Sequence, residues 1–381
     1  MRIAFYAPLK PPDHPVPSGD RRMAQLVMAA LAARGHAVEL AARLRSYDGD
    51  GDERRQRRLA ALGTRLADRL IARYAALAPS LRPQAWLTYH LYYKAPDWIG
   101  PRVARALEIP YAVIEASLAH KRASGPWRLG HDGVCAALAG AAAVISFHAR
   151  DEQALRGAVA APRRLHRLRP FLDDDAFAAA AARRDEHRVA LGRDHGLDMR
   201  GPWLLAVGMM RTGDKLASYR LLADALRRVD ARPWTLLIAG DGPARGAVET
   251  AFAPLAGRVA FLGTCAPARL AALCAASDLF VWPAINEAWG MALLEAHAAG
   301  LPAVAGDAGG VGEILRDGRT GWLVPCGDAD AFAAAVAAAL DDPAGRRARG
   351  VAARAIVAAE HRLVAAGATL ERILADARAQ P

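Results

Sequence analysis

The sequence predicts an α/β protein made of two doubly wound, Rossmann-like domains that face each other across a cleft. Short apolar runs typical of buried strands alternate with Ala- and Leu-rich runs typical of helices along most of the 381 residues. The alternation breaks between about residues 169 and 200, where a charged, Ala-rich run contains no predicted strand. A chain of this length also exceeds one average domain. We therefore predict two mainly parallel sheets, with ligands at the carboxyl ends of their strands.

The first series of elements occupies the N-terminal domain, residues 1–170. Gly35 marks the end of the first predicted helix, because glycine commonly follows a helix C-terminus. Leucines four residues apart give the second helix one apolar face opposite many arginines. Strands are predicted at 2–7, 37–42, 85–89, 111–114 and 143–147, and helices at 25–34, 53–77, 99–107 and 130–140.

The second series follows a predicted linker, residues 171–200. It forms a C-terminal domain at 201–345, and the remaining helices, within 346–381, are expected to pack back toward the N-terminal domain. Strands are predicted at 203–207, 235–239, 259–262, 279–282 and 302–305. Helices are predicted at 217–229, 244–254, 268–275, 290–299, 328–340 and 343–378.

The charge is concentrated in the N-terminal half of the chain. The net charge is +11, and only four of the 50 basic residues are lysines. Residues 1–170 hold 27 basic and 14 acidic residues, a net charge of +13, whereas the remainder has a net charge of −2. Such a half attracts anionic lipids, phosphorylated substrates or nucleic acid. The basic helix at 53–77 lacks interleaved aromatic residues and any nucleic-acid motif, so we expect no nucleic-acid partner.

The four cysteines are scattered and form no CxxC pair. This spacing argues against a disulfide framework or a zinc site and fits a cytoplasmic protein. No apolar run is long enough to predict a transmembrane helix.

Residues 278–325 contain the clearest functional pattern. A strand leads into a loop with Glu287 and Gly290, and then into a helix that carries Glu295. The helix start offers free backbone N–H groups to a phosphate, and Gly290 allows close approach to the backbone. Two carboxylates beside a phosphate-binding helix start suit a nucleotide sugar. The carboxylates can accept hydrogen bonds from the hydroxyls of its sugar and its ribose.

Glu287 and Glu295 form an E-x7-E pattern, followed in order by Gly300, Gly309-Gly310 and Glu313. This stretch resembles the retaining glycosyltransferases of the large group-1 (GT4) family, which have the GT-B fold. The resemblance is strong over about residues 201–340 and looser before them. It implies a nucleotide-diphospho-sugar donor, an acceptor hydroxyl, and chemistry that needs neither a metal ion nor a cofactor.

The resemblance also assigns roles on the donor side. Glu287 would contact the donor sugar and Glu295 the ribose, while Lys215 and Arg211 would stabilise the leaving diphosphate. Met209 stands where the family has an arginine, and Lys215 is the better replacement. The other expected donor-binding residues are Trp289, Gly290, Met291 and Ala292 at the helix start, with Gly19, Gly208, Asp241 and Thr264 in loops after strands.

The acceptor side is expected in the N-terminal domain. His90, Lys94, Glu115, His120 and Lys121 all follow predicted strands. Glu115 stands where many family members have a histidine, and His120 is near enough in sequence to replace it. The acceptor could be a small molecule, a glycan or a lipid-linked molecule.

The basic helix at 53–77 has two interpretations. It is either a solvated Arg-rich face or a contact with an anionic acceptor or with the inner face of the membrane, where the protein would be peripheral. For the whole chain, the alternatives to a glycosyltransferase are another GT-B enzyme, such as a sugar-nucleotide epimerase or phosphorylase, and a non-catalytic basic binding protein.

Overall fold

The computed structural model describes residues 1–16, 18–147 and 149–379, which divide into two compact α/β units. Unit 1 comprises Met1–Arg169 and Leu363–Pro381, and unit 2 comprises Pro170–Arg362. Each unit is organised around its own parallel six-stranded sheet. The predicted α/β class with two doubly wound sheets is therefore confirmed. No helix among the described residues is long and apolar enough to cross a membrane.

Unit 1 contains a parallel sheet with strand order β2-β1-β3-β4-β5-β6. The order reverses direction between β1 and β3, so the loops after these two strands border the crevice where doubly wound sheets bind ligands. The strands are β1 (Arg2–Tyr6), β2 (Ala37–Ala42), β3 (Ala85–Tyr92), β4 (Tyr111–Ser117), β5 (Ala143–Ser146) and β6 (Leu165–Arg167). The helices are α1 (Gly19–Ala32), α2 (Glu53–Ala75), α3 (Gly100–Ala106), α4 (Arg128–Gly140) and α5 (Ala149–Leu155).

Unit 2 repeats this architecture with strand order β12-β11-β10-β7-β8-β9, and its reversal lies between β7 and β10. The strands are β7 (Trp203–Val207), β8 (Thr235–Ala239), β9 (Val259–Gly263), β10 (Leu279–Trp282), β11 (Ala303–Asp307) and β12 (Gly321–Pro325). The helices are α6 (Asp175–Ala182), α7 (Arg184–His195), α8 (Asp214–Arg228), α9 (Arg245–Phe252), α10 (Pro267–Ala276), α11 (Met291–Ala298), α12 (Val311–Ile314), α13 (Ala329–Asp341) and α14 (Pro343–Glu360).

The predicted linker at 171–200 is part of unit 2. It forms α6 and α7, and Phe177, Ala180 and Leu191 are buried in the core of that unit. Arg184 and Arg188 anchor α7 to Asp278, with N–O distances of 2.6 and 2.9 Å. Charged residues were the reason for predicting a linker here, yet two of them attach α7 to the rest of unit 2.

The C-terminal helices are divided between the units. Helix α14 belongs to unit 2, and only the last helix, α15 (Leu363–Ala379), belongs to unit 1. Helix α15 packs on α1 closely enough that a Cβ on Gly367 would lie 2.3 Å from the carbonyl oxygen of Ala30. Arg34 and Glu371 form an ion pair at 2.8 Å across the same contact. The predicted boundary between 345 and 346 is therefore wrong for α14.

The apolar face of α2 is buried within unit 1. Ala67, Leu70 and Tyr74 belong to its hydrophobic core, and Asp52 caps the helix by accepting hydrogen bonds from the next two arginine N–H groups. The apolar face of α2 therefore packs in the core of unit 1 and is not available to insert into a membrane. The opposite face remains exposed and carries Arg54, Arg55, Arg57, Arg58, Arg65 and Arg69.

Candidate active site

The loops after β7 and β8, next to the reversal point of unit 2, approach each other backbone to backbone. A Cβ on Gly240, after β8, would lie 1.9 Å from the carbonyl oxygen of Gly208, after β7. A Cβ on Gly242 would lie 2.4 Å from the carbonyl oxygen of Met210. The hydroxyl of Tyr219 donates a 2.7 Å hydrogen bond to the Gly208 carbonyl. Only glycine permits this approach, so these glycines fix the floor of the site.

Lys215, Glu287 and Trp282 form a compact polar cluster at this point. The Lys215 ammonium and the Glu287 carboxylate form an ion pair, and both side chains are largely shielded from solvent. The indole N–H of Trp282 donates to the same carboxylate at 3.1 Å. The Lys215 ammonium also lies 5.1 Å from the centre of the Trp282 ring, within range of a cation–π interaction. The structure thus brings together residues that are 72 positions apart in the sequence.

The loop that presents Glu287 has an unusual backbone. Ala284 and Asn286 have φ values of 57° and 49°, which non-glycine residues rarely adopt. Two hydrogen bonds tie the loop to α8, from the Ile285 N–H to the Ser218 hydroxyl at 3.0 Å and from the Asn286 amide to Asp214 at 2.9 Å. Strained residues of this kind persist where surrounding contacts hold them, and they cluster at functional sites.

Helix α11 begins directly after this loop. Gly290 adopts the left-handed conformation, with φ 68° and ψ 52°, and turns the chain into the helix. The first backbone bond back to Gly290 comes from the Leu293 N–H, so the N–H groups of Met291 and Ala292 lie ahead of the intrahelical ladder. Such N–H groups are the usual ligands of phosphate at a helix start.

Glu295 and His297 follow on α11. Glu295 is half-buried. His297 is fully buried, and its ring nitrogens contact the Leu301 carbonyl at 3.1 Å and the Thr320 hydroxyl at 3.2 Å. Burial lowers the pKa of His297 to about 4. The neutral histidine therefore anchors the helix without adding charge.

The remaining predicted donor residues occupy several positions around this cluster. Arg211 is exposed in the turn before α8, and Trp289 is half-buried before α11. Asp241 accepts from the Gly242 N–H at 2.7 Å and pairs with Arg245 at 3.2 Å, so it shapes the turn after β8. Thr264 is exposed after the edge strand β9.

A second cluster lies at the reversal point of unit 1. The Nδ1 atom of His90 lies 2.9 Å from Asp20 and 4.0 Å from Glu115. His90 and Glu115 occupy facing positions on β3 and β4, and both have left-handed φ values, 60° and 58°. Burial would raise the pKa of Asp20, but the hydrogen bond and charge of His90, with the charge of Lys10, lower it. The cluster combines a histidine, two carboxylates and a nearby cation.

The other predicted residues of unit 1 do not join this cluster. His120 and Lys121 are exposed in a 3₁₀ turn, and their side chains make no hydrogen bond or ion pair with the described part of the chain. Lys94 donates to the Gly49 carbonyl at 3.2 Å and lies over the Trp127 ring, so it supports a loop. Gly19 is the exposed first residue of α1.

Sequence reasoning missed Trp282 and Asp20. Trp282 is the last residue of a buried strand and is indistinguishable there from a core residue. Asp20 lies in the first turn of α1, directly after the loop that follows β1. This position after the first strand was the one sequence feature that could have indicated a site residue. Within residues 1–16, 18–147 and 149–379, no group of three or more His, Cys, Asp or Glu side chains is arranged to hold a metal ion.

Residues 201–342, which contain β7 to β12 and α8 to α13, match the family model described as glycosyl transferases group 1. Alpha-D-kanosaminyltransferase of Streptomyces kanamyceticus is 33% identical over 237 residues, which cover 62% of this chain and 60% of that protein. Residues 201–342 are thus similar to the group-1 glycosyltransferases. The D-inositol 3-phosphate glycosyltransferase of Rhodococcus erythropolis strain PR4 is 35% identical over 148 residues, 37% of this chain and 33% of that enzyme. The chain thus spans three fifths or less of the length of these two curated relatives.

Solved structures of similar fold cover nearly the whole chain. A glycosyltransferase from Rickettsia africae ESF-5 aligns with a TM-score of 0.77 at 15% identity, covering 100% of this chain and 99% of that one. Anabaena HepE in complex with UDP aligns with a TM-score of 0.72 at 17% identity, covering 98% and 100%. The two parallel α/β units constitute the GT-B fold.

Proposed function

We propose that this glycosyltransferase moves a sugar from a nucleotide-diphospho-sugar to an acceptor hydroxyl and retains the anomeric configuration. The observation that carries the proposal is the Lys215–Glu287–Trp282 cluster beside the start of α11. A cation, a carboxylate and free helix N–H groups match the diphosphate and sugar of such a donor. The similar fold of HepE, described in complexes with UDP and with UDP-glucose, supports the same donor class.

Each donor-side residue has a distinct proposed role. The N–H groups around Gly290 and Met291 bind the diphosphate, and Glu295 accepts hydrogen bonds from the ribose hydroxyls. Glu287 accepts from hydroxyls of the transferred sugar. Its ion pair with Lys215 and the hydrogen bond from the Trp282 indole N–H hold this carboxylate in place.

Lys215 is proposed to stabilise the leaving diphosphate, with Arg211 nearby on the turn before α8. The bond between the anomeric carbon and the diphosphate oxygen breaks, and the acceptor oxygen attacks from the same face. The departing diphosphate oxygen takes the acceptor's proton. Positive charge fixed beside the developing oxyanion lowers the barrier of this step. Because that charge comes from protein side chains and N–H groups, we propose that the reaction needs neither a metal ion nor a cofactor.

The acceptor is proposed to approach the Asp20–His90–Glu115 cluster of unit 1. Carboxylates and a histidine can orient several hydroxyls of a glycan, a small polyol or a lipid-linked sugar. The names of the two curated relatives give different substrates, kanosamine and D-inositol 3-phosphate, so the proposal extends only to this acceptor class in glycan or glycolipid synthesis. We propose that the protein is cytoplasmic and binds peripherally to the inner face of the membrane. This binding would be electrostatic and would come from the exposed arginines of α2.

The test is a screen of nucleotide sugars for transfer or slow hydrolysis, with Lys215→Ala as the diagnostic variant. We expect Lys215→Ala to lower turnover by tens- to thousands-fold, about 2–4 kcal/mol, because one stabilising charge on the leaving group is lost. Arg220→Ala, which removes an exposed cation from the same helix, is the matched control. Unchanged turnover in Lys215→Ala would exclude the proposed role, and epimerised donor as the product would exclude transfer.

A further inference from the structure

A cavity of about 340 Å³ lies in unit 2 at the opposite end of the sheet from the candidate active site. Its walls include Gly201 and Pro202 before β7, Pro233 before β8, and Asp278 before β10. These residues precede the strands, whereas Lys215 and Glu287 follow them. The cavity is therefore separate from the proposed donor site.

Arginines dominate the charged side chains that line this cavity. Asp278 is already satisfied, because Arg184 and Arg188 donate to its carboxylate and the Trp203 N–H donates at 2.8 Å. Asp341 is held by Arg232 through two hydrogen bonds of 2.9 and 2.7 Å. The formal charge of the lining is +2, from Arg188, Arg200, Arg232 and Arg346 against Asp278 and Asp341.

Arg346 is the unusual member of this set. Only 8% of its surface is exposed, and one terminal nitrogen, Nη1, donates to the last carbonyls of α13, those of Ala339 and Leu340. Its Nε and Nη2 groups make no hydrogen bond to the described residues, and no carboxylate among them forms an ion pair with it. Burial lowers the pKa of this guanidinium. The charges of Asp278 and Asp342 offset this burial only in part. A buried guanidinium without a direct ion pair is costly, and an anion in the cavity would reduce that cost.

We infer that this cavity binds a small anion that carries a phosphate group, either free phosphate or a sugar phosphate. Guanidinium groups recognise phosphate oxygens through paired N–H donors. Arg346 offers its Nε and Nη2 from within the wall. Arg200, whose side chain is 93% exposed, offers both Nη groups because only its Nε binds Asp198. A volume near 340 Å³ lies at the low end of small-molecule sites, so the ligand is smaller than a nucleotide sugar.

The test is isothermal titration of the full chain with inorganic phosphate and, separately, with glucose 6-phosphate at low salt. We expect binding to the wild type, and a loss of about tenfold or more in affinity in Arg346→Gln and in Arg200→Gln. Tighter binding of the ester would identify a sugar phosphate, and equal binding would identify phosphate itself. Arg354→Gln, an exposed arginine further along α14, is the control for lost charge.

Three results would overturn the inference. The first is no binding to the wild type, and the second is unchanged affinity in Arg346→Gln and Arg200→Gln. The third is loss of phosphate binding in Lys215→Ala, which would place the anion at the donor site. If Arg346→Gln does not fold, Arg200→Gln decides, since Arg200 lies on an exposed turn and supports no core residue. Turnover of Lys215→Ala reports separately on the proposed transferase activity.

Discussion

At the scale of single residues, Glu287 and Glu295 have different surroundings, so replacing each of them should have a different effect on binding and turnover. Glu287 is paired with Lys215 and Trp282, whereas Glu295 lies further along α11. If Glu295 holds the ribose, Glu295→Ala should weaken binding of free nucleoside diphosphate. Glu287→Ala should leave that affinity almost unchanged and reduce turnover, since free nucleotide has no sugar to contact. Calorimetry and initial rates on both variants test this, and equal nucleotide affinity in both variants and the wild type would contradict it.

His90 is the residue through which the acceptor side can be examined. It lies between Asp20 and Glu115, so His90→Asn should weaken their ordering and raise the KM for the acceptor. Hydrolysis of the donor without acceptor should not change, because Lys215, Glu287 and Glu295, the main proposed donor contacts, lie in unit 2. His120→Asn is the matched control, as His120 is exposed and makes no side-chain interaction with the described residues. Equal acceptor KM in the wild type and His90→Asn would remove this cluster from the acceptor site.

The clearest sequence signals for site residues were local ones. Glu287, Gly290 and Glu295 share one strand–loop–helix segment, and their spacing could be interpreted directly. The ion pair between Lys215 and Glu287 joins the start of α8 to the loop after β10, and its formation depends on the strand order of the folded sheet. The left-handed backbone at Ala284 and Asn286 could not be foreseen, because nothing in an alanine or asparagine side chain requires it.

At the scale of elements, α2 shows how one amphipathic helix can be interpreted in two ways. Its apolar stripe is buried in unit 1, so any binding to a membrane must come from the exposed arginines. Each basic residue near an anionic surface contributes about 1 kcal/mol. We therefore expect weak, salt-sensitive binding to anionic vesicles at low salt, and loss of it when Arg54, Arg55, Arg57 and Arg58 are changed to Gln.

Co-sedimentation with vesicles at two salt concentrations measures this binding. The control changes four exposed arginines of unit 2, which removes the same charge from the chain: Arg220, Arg319, Arg347 and Arg354. Equal binding of the α2 variant and the wild type, or loss in the control alone, would show that α2 is not the contact.

Element prediction succeeded for most strands, including the edge strand β2, and missed two other edge strands. The predicted bounds of β2, β7, β8 and β10 agree with the structure. Strands β6 and β12 were missed, since one has three residues and the other begins at Gly321 on an edge with half-buried side chains. Helices α6 and α7 were mistaken for a linker because their exposed charges outnumber the few residues they bury.

At the scale of the whole molecule, the uneven distribution of charge along the sequence follows the division into two units. Unit 1 has a net charge of +13 and unit 2 a net charge of −2. Unit 2 nevertheless concentrates positive charge where a diphosphate would leave, at Lys215 and the start of α11. We therefore expect full activity in EDTA, measured as initial rate with a matched buffer control. Complete loss that Mn²⁺ restores would contradict metal-independent catalysis.

The assignment of α15 to unit 1 has a consequence for how the protein folds during translation. The ribosome synthesises all of unit 2 between the sheet of unit 1 and the helix that covers α1. Unit 2 can therefore reach its native state first, although domains commonly fold in the order of their synthesis. Until Leu370, Ile373 and Leu374 arrive, the nascent N-terminal unit exposes the apolar surface that they bury. During that interval a chaperone would recognise the unfinished first unit rather than the second.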